Sequence, residues 1–131
     1  MENKSTQEAV SGSFVLTPAA GKKLIGLAVA ALPEVKHAYE QGRLAIANGT
    51  TTGYVIEALT GRPMQKSQYC VGVIANGLCG QNPESDHTLM FWERGKSIKV
   101  QFSEFLTEFR KFERDDVFIK GANAVDPHGF A

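Results

Sequence analysis

The sequence predicts an α/β fold, a mostly parallel sheet flanked by helices and carrying an antiparallel insertion. Three observations lead there. The apolar run at 44–47 has the length and all-apolar character of a strand buried on both faces, and it turns through Asn48-Gly49 straight into a helix-forming segment. Short, largely apolar strand candidates recur at 71–75 and at 117–120, the latter ending in Lys120. Between them lie segments of helical periodicity, and strands alternating with helices favour parallel pairing.

Taken in order, residues 1–13 are polar and aperiodic, which reads as a loose lead-in. A single α/β domain is expected over 14–131, because 131 residues suffice for one sizeable core and not for two. Thr17 before Pro18 marks a helix start, since Thr caps free amides and Pro is tolerated where its missing N–H costs nothing. Leu24, Leu27, Ala28, Ala31 and Leu32 then fall on one helical face, expected to meet the core. Pro33 interrupts the helix, and 35–40 reads as a second, ending at Gly42.

A third helix at 51–60 is expected to turn Tyr54, Val55, Ala58 and Leu59 inward and to stop at Gly61. Residues 89–93 and 97–100 read as two strands joined around Arg94-Gly95. Ser103-Glu104 opens a further helix whose Phe102, Phe105, Leu106, Phe109 and Phe112 form an apolar stripe that must cover a sheet or a partner.

Composition narrows the function. Lys plus Arg number 14 and Asp plus Glu number 14, so no net charge draws the chain to nucleic acid or an anionic membrane, and any anion site must be local. No apolar stretch approaches the roughly 20 residues of a membrane span, and the polar start lacks the features of a secretory signal, which makes cytoplasm the expected compartment. Cys70 and Cys79 form no Cys-x-x-Cys pair and read as reduced, structural thiols, the alternative being a reactive Cys79 between glycine-marked turns. His37, His87 and His128 are scattered, without the spacing of a metal site. No motif calls for a cofactor.

The stretch most informative about chemistry is Asn48-Gly49-Thr50-Thr51-Thr52. A buried strand that turns through Gly into a helix leaves the first helical amides pointing at the crevice beyond the strand end, where the helix dipole also favours an anion. The hydroxyls of Thr50, Thr51 and Thr52 add donors, and Gly49 lets a ligand approach the backbone. The alternative is that Thr50 or Thr51 merely caps the helix. A second stretch, Lys120-Gly121-Ala122-Asn123-Ala124-Val125-Asp126, likewise follows a strand, and in a parallel sheet both loops leave from the same edge, where open α/β sheets bind their ligands.

Together the two stretches resemble the superfamily of ribose-5-phosphate isomerase, glucosamine-6-phosphate deaminase, the coenzyme A transferases and the effector domains of sugar-phosphate-responsive repressors. Gly49-Thr50-Thr51-Thr52 looks like its phosphate loop, and Gly121-Ala122-Asn123-Ala124-Val125-Asp126 resembles the isomerases' Gly-Ala-Asp-x-Val-Asp. The resemblance implies a Rossmann-like sheet and a small anionic metabolite, such as a sugar phosphate or a coenzyme A ester, held by Asn48 to Thr52 with Lys120, Gly121, Ala122, Asn123 and Asp126. It also implies a longer domain, so that a bare sheet edge would need further residues, a partner chain or a second copy to cover it; a homo-oligomer is expected.

Two departures bear on activity. Lys120 and Asn123 stand where the isomerases carry carboxylates, and an amide cannot act as a base on a sugar. Glu57 and Glu84 are the glutamates nearest the loops for a transferase-type nucleophile, one within a helix and one in a polar loop. Three readings stay open: a binding or sensing domain for an anionic metabolite, an isomerase- or coenzyme A transferase-like enzyme completed by other residues or a partner subunit, and an interaction module that uses the Phe-rich helix.

Overall fold

A computed structural model describes residues 11–85, 87–122 and 125–130. Helix α1 (Pro18–Ala31) begins as its sequence requires: the Thr17 hydroxyl accepts from the Ala20 amide at 3.2 Å and Pro18 opens the first turn. Leu32, extended because it precedes Pro33, separates α1 from α2 (Pro33–Glu40). Strand β1 (Arg43–Ile46) leads through Asn48-Gly49 into α3 (Thr50–Thr60), which closes at Gly61 in the left-handed conformation. A hairpin, β2 (Gly72–Ala75) and β3 (Leu78–Gln81), precedes a second, β4 (Thr88–Glu93) and β5 (Lys96–Gln101). A 3-10 turn (Phe102–Glu104), helix α4 (Phe105–Phe109) and strand β6 (Val117–Ile119) follow.

The main sheet has four strands in the order β5-β4-β1-β6. Only β1 with β6 is parallel, while β4 runs antiparallel to both β1 and β5. The fold therefore combines helices with a mixed sheet, and the mostly parallel, Rossmann-like sheet expected from the sequence is corrected here. Two placements account for the difference. The run at 71–75, expected as a parallel strand, instead folds back on β3 through Asn76-Gly77, whose positive φ values of 53° and 76° suit a two-residue hairpin turn. The vacated place beside β1 is taken by β4, whose own turn, Arg94-Gly95, has φ values of 48° and 77° and docks on the end of α2 and the turn after it through bonds from its amides to the Gly42 and Tyr39 carbonyls.

The sheet has two unlike faces. On one, Leu44, Ile46 and Trp92 are buried with Val35 and Ala38 of α2, Val55 and Ile56 of α3, and Ala30 of α1. On the other, Ala45, Leu89, Phe91 and Val100 pack under Phe105, Phe109 and Phe112. The Phe-rich segment thus covers its own sheet. Its rings meet edge-on with Phe91 at centroid separations of 6.5, 6.2 and 6.1 Å, while Phe102 and Leu106 stay exposed.

Helix α1 is turned away from the expected orientation. Leu24, Leu27, Ala28, Ala31 and Leu32 face outward, and the buried residues are Gly26 and Ala30. Gly26 explains the rotation. A Cβ built there would stand 2.6 Å from Tyr54 Cβ and 2.7 Å from the Tyr54 carbonyl carbon, so α1 and α3 cross where one helix has no side chain. Gly26→Ala is expected to force the helices apart and to lower stability by about 1–3 kcal/mol, measured as a lower urea midpoint at unchanged slope.

Candidate functional site: the ends of β1 and β6

Because β1 and β6 are parallel neighbours, with Ile46 opposite Ile119 and the Ala47 amide bonded to the Ile119 carbonyl at 2.8 Å, the loops that follow them leave the sheet side by side. The two stretches singled out in the sequence therefore start from one edge. Beyond that edge they part.

At the end of β1 the chain is held chiefly by Tyr69, a buried residue of the loop after α3. Its hydroxyl donates to the Ile46 carbonyl and accepts from the Met90 amide at 3.1 Å, standing between two residues that face each other across β1 and β4. Its carbonyl accepts from the Gly49 amide at 2.7 Å. Two residues on, the Asn48 side-chain amide donates to the Thr88 carbonyl at 2.8 Å, so the β1–β4 ladder ends in bridges made by side chains.

The threonines divide their work. Thr52 is buried and its hydroxyl lies 2.7 Å from the Ala47 carbonyl and 2.9 Å from that of Gly49, which turns it into the loop. Thr50 accepts from Lys22 of α1 at 2.7 Å, a cation that the sequence did not connect with this loop. Thr51 is half-buried. Neither Thr50 nor Thr51 caps α3; Gly49 occupies the cap position without a side-chain bond.

On the Phe-bearing side of the same edge lies a pocket of about 560 Å³. Its wall is apolar, from Val71, Leu89, Phe102, Phe105 and Phe118, and its polar groups are Asn48, Gln81, His87 and Lys120. Of the expected site residues the pocket unites Asn48 and Lys120; Gly49, Thr50, Thr51 and Thr52 lie outside its lining. Lys120 Nζ also donates to the Gly121 carbonyl at 3.1 Å. His87 sits at the rim with a left-handed φ of 48°, a conformation uncommon for a residue other than glycine. Gln81, Val71 and Leu89 escaped sequence reasoning because the hairpin that presents the first two was read as a strand and a loop.

Gly121 and Ala122 are exposed, and Asn123 lies outside the described residues. Asp126 Oδ1 accepts from the His128 and Phe130 amides at 2.9 Å each, so its carboxylate organises its own turn. Glu57 is paired with Lys66 and accepts from the Met64 amide at 2.8 Å, so one of the two candidate nucleophile carboxylates is already occupied. Cys79 is exposed and Cys70 half-buried, both as free thiols. Among the described residues, no three His, Cys, Asp or Glu side chains are grouped to hold a metal ion, and no helix is long and apolar enough to cross a membrane.

Comparison with protein-family models, curated proteins and solved structures finds no match. The residues themselves thus carry the functional argument.

Two outcomes follow from these bonds. Tyr69→Phe would leave the Ile46 carbonyl and the Met90 amide without their buried partner, and is expected to lower stability by about 1–3 kcal/mol, with faster hydrogen exchange at Gly49 and Met90. The Lys66 ammonium and the Met64 amide hold the Glu57 carboxyl below its ordinary value of 4.5. A depressed carboxyl stabilises the fold above its unfolded value and loses that contribution as pH falls through its folded value. The stability difference between the native chain and Glu57→Gln should accordingly be constant near neutrality and shrink in acid, read from denaturation midpoints between about pH 3 and 7.

Proposed function

We propose that this chain is a small-molecule-binding domain whose pocket at the carboxyl ends of β1 and β6 takes an organic anion with an apolar body. The observation that carries the reading is the composition of that pocket. Six apolar residues, Ala47 among them, form most of the wall while Asn48, Gln81, His87 and Lys120 supply a few polar groups, the usual makeup of a ligand site. Lys120 supplies the positive charge for a carboxylate or phosphate head, and the Phe102, Phe105 and Phe118 rings accept an acyl or aromatic group.

Among the ligands that the sequence resemblance implies, a coenzyme A ester or the corresponding carboxylate suits such a wall. A sugar phosphate suits it less, because its hydroxyls would be desolvated against phenyl rings without partners. The bonding of Thr52 inside the loop also favours the pocket over the start of α3.

A thermal-unfolding panel tests this: short acyl and aromatic carboxylates, acyl-coenzyme A esters, sugar phosphates and inorganic phosphate. A ligand at about 100 times its Kd adds about 2.7 kcal/mol, which raises Tm by roughly 10 °C for a chain of this size. The expected result is a rise with apolar anions, reduced by Lys120→Ala and abolished when Val71→Trp fills the pocket. A rise with inorganic phosphate that Val71→Trp leaves intact and Thr50→Val removes would transfer the site to the start of α3. No rise with any apolar anion would end the pocket reading.

A further inference from the structure

We propose that the ligand of this pocket is an N-acyl amino acid, an anion with an amide N–H between its carboxylate and its apolar acyl group, and that Asn48 selects it by accepting from that N–H. This ligand class rests on the pocket reading above and narrows it. Asn48 lines the pocket and is half-buried. Its Nδ2 donates to the Thr88 carbonyl at 2.8 Å, and that bond gives the side chain one orientation. Turned over, it would set its oxygen against the Thr88 oxygen, two acceptors with no proton between them. The bond that closes the β1–β4 ladder thus also decides that Oδ1 is left for a ligand. Among the described residues, no donor of the chain reaches that oxygen.

Asn48 is a near neighbour of the cation. The register of β1 on β6 continues past the strands, because the Ala47 amide bonds to the Ile119 carbonyl, so Ala47 lies opposite Lys120 and Asn48 comes one residue later. Strand spacing and rise put the backbones of Asn48 and Lys120 within roughly 6 Å of each other. An acceptor so close to the anion head discriminates between ligands. A simple carboxylate held by Lys120 presents only oxygens there, and Oδ1 is dehydrated without receiving a proton, which weakens binding. A ligand with an N–H next to its head satisfies the same oxygen, and the difference is selectivity.

The rest of the lining favours an amide over a hydroxyl as the source of that proton. Gln81 brings a second carboxamide to the pocket, with N–H groups that can donate to an acyl carbonyl. A secondary amide serves both side chains, its N–H donating to Asn48 and its carbonyl accepting from Gln81, whereas a hydroxy acid offers no such carbonyl. Beyond the amide, the acyl group meets Phe118, two residues before Lys120, and then Phe105, whose ring lies 6.2 Å from that of Phe118. Cation, acceptor and phenyl rings thus follow the order of carboxylate, N–H and acyl group in the ligand, within a volume of about 560 Å³.

Titration calorimetry of the full 131-residue chain with two probes tests the proposal. N-benzoylglycine and β-benzoylpropionate have the same length, charge, ring and carbonyl, and differ in that the N–H of the first is a methylene in the second. N-benzoylglycine should bind at least about tenfold tighter. Asn48→Ala should bring the two Kd values together, while Gln81→Ala should weaken both probes and keep their ratio. A ratio does not respond to a general loosening of the pocket, and the comparison in the native chain stands even where Asn48→Ala fails to fold. Equal affinities in the native chain, or a ratio that survives Asn48→Ala, overturn the selection by Asn48 and leave the pocket reading in place. Binding of neither probe, where other apolar carboxylates raise Tm, overturns the ligand class alone. Binding of neither, with no rise from any apolar anion, ends both.

Discussion

The end of β1 depends on one buried hydroxyl. Tyr69 reaches from the loop after α3 to the Ile46 carbonyl and the Met90 amide, and its own carbonyl receives the Gly49 amide. Strand β1, strand β4 and the turn into α3 are thereby joined through a single side chain in the core, where an unmade hydrogen bond is costly. The wedge also ends direct pairing between β1 and β4, and Asn48 completes the closure by bridging to Thr88. The pocket opens at the place where the ladder stops.

The two faces of the sheet follow from unequal cover. Three helices bury Leu44, Ile46 and Trp92 completely. The opposite face has only the short α4 and its phenyl rings, which leave Phe118 and Phe102 partly bare beside Ala47 and Lys120. An apolar surface incompletely covered by its own chain thus lies next to a cation and two amide side chains, and the proposed function rests on that combination. On the outer side of the helical layer the same imbalance appears again in α1, whose leucines point away from the core.

Much of the local structure was legible. Thr17-Pro18, Gly61 and the Arg94-Gly95 turn sit where their chemistry puts them, and the strands at 44–47, 89–93, 97–100 and 117–120 lie within a residue or two of their expected limits. The Asn76-Gly77 turn carries an equally local hairpin signal, but the apolar run before it has the look of a strand buried on both faces, and only the pairing with β3 decides between them. Asn48 and Lys120, which the sequence singles out by their places after apolar strands, both line the pocket. Tyr69 could not be singled out in this way, since it follows the polar Gln65-Lys66-Ser67-Gln68 and acts on residues far from it in sequence. Lys22 was hidden for the same reason, being 28 residues from Thr50.

Sequence alone determined where most of the helices and strands begin and end, the β2–β3 hairpin excepted, because capping, turn geometry and apolar period act over a few residues. It also determined that β1 and β6 are apolar enough to be neighbours in a core. Tertiary structure decided the direction in which strands pair, since β4 competes for the edge of β1 that a parallel strand would have taken. It decided which face of α1 is buried, because close approach to Tyr54 at Gly26 outweighs the pull of five apolar side chains. And it decided that Thr52 supports the loop from within while Asn48 and Lys120 line a pocket, for where a hydroxyl or an amide points depends on carbonyls brought near only by the complete fold.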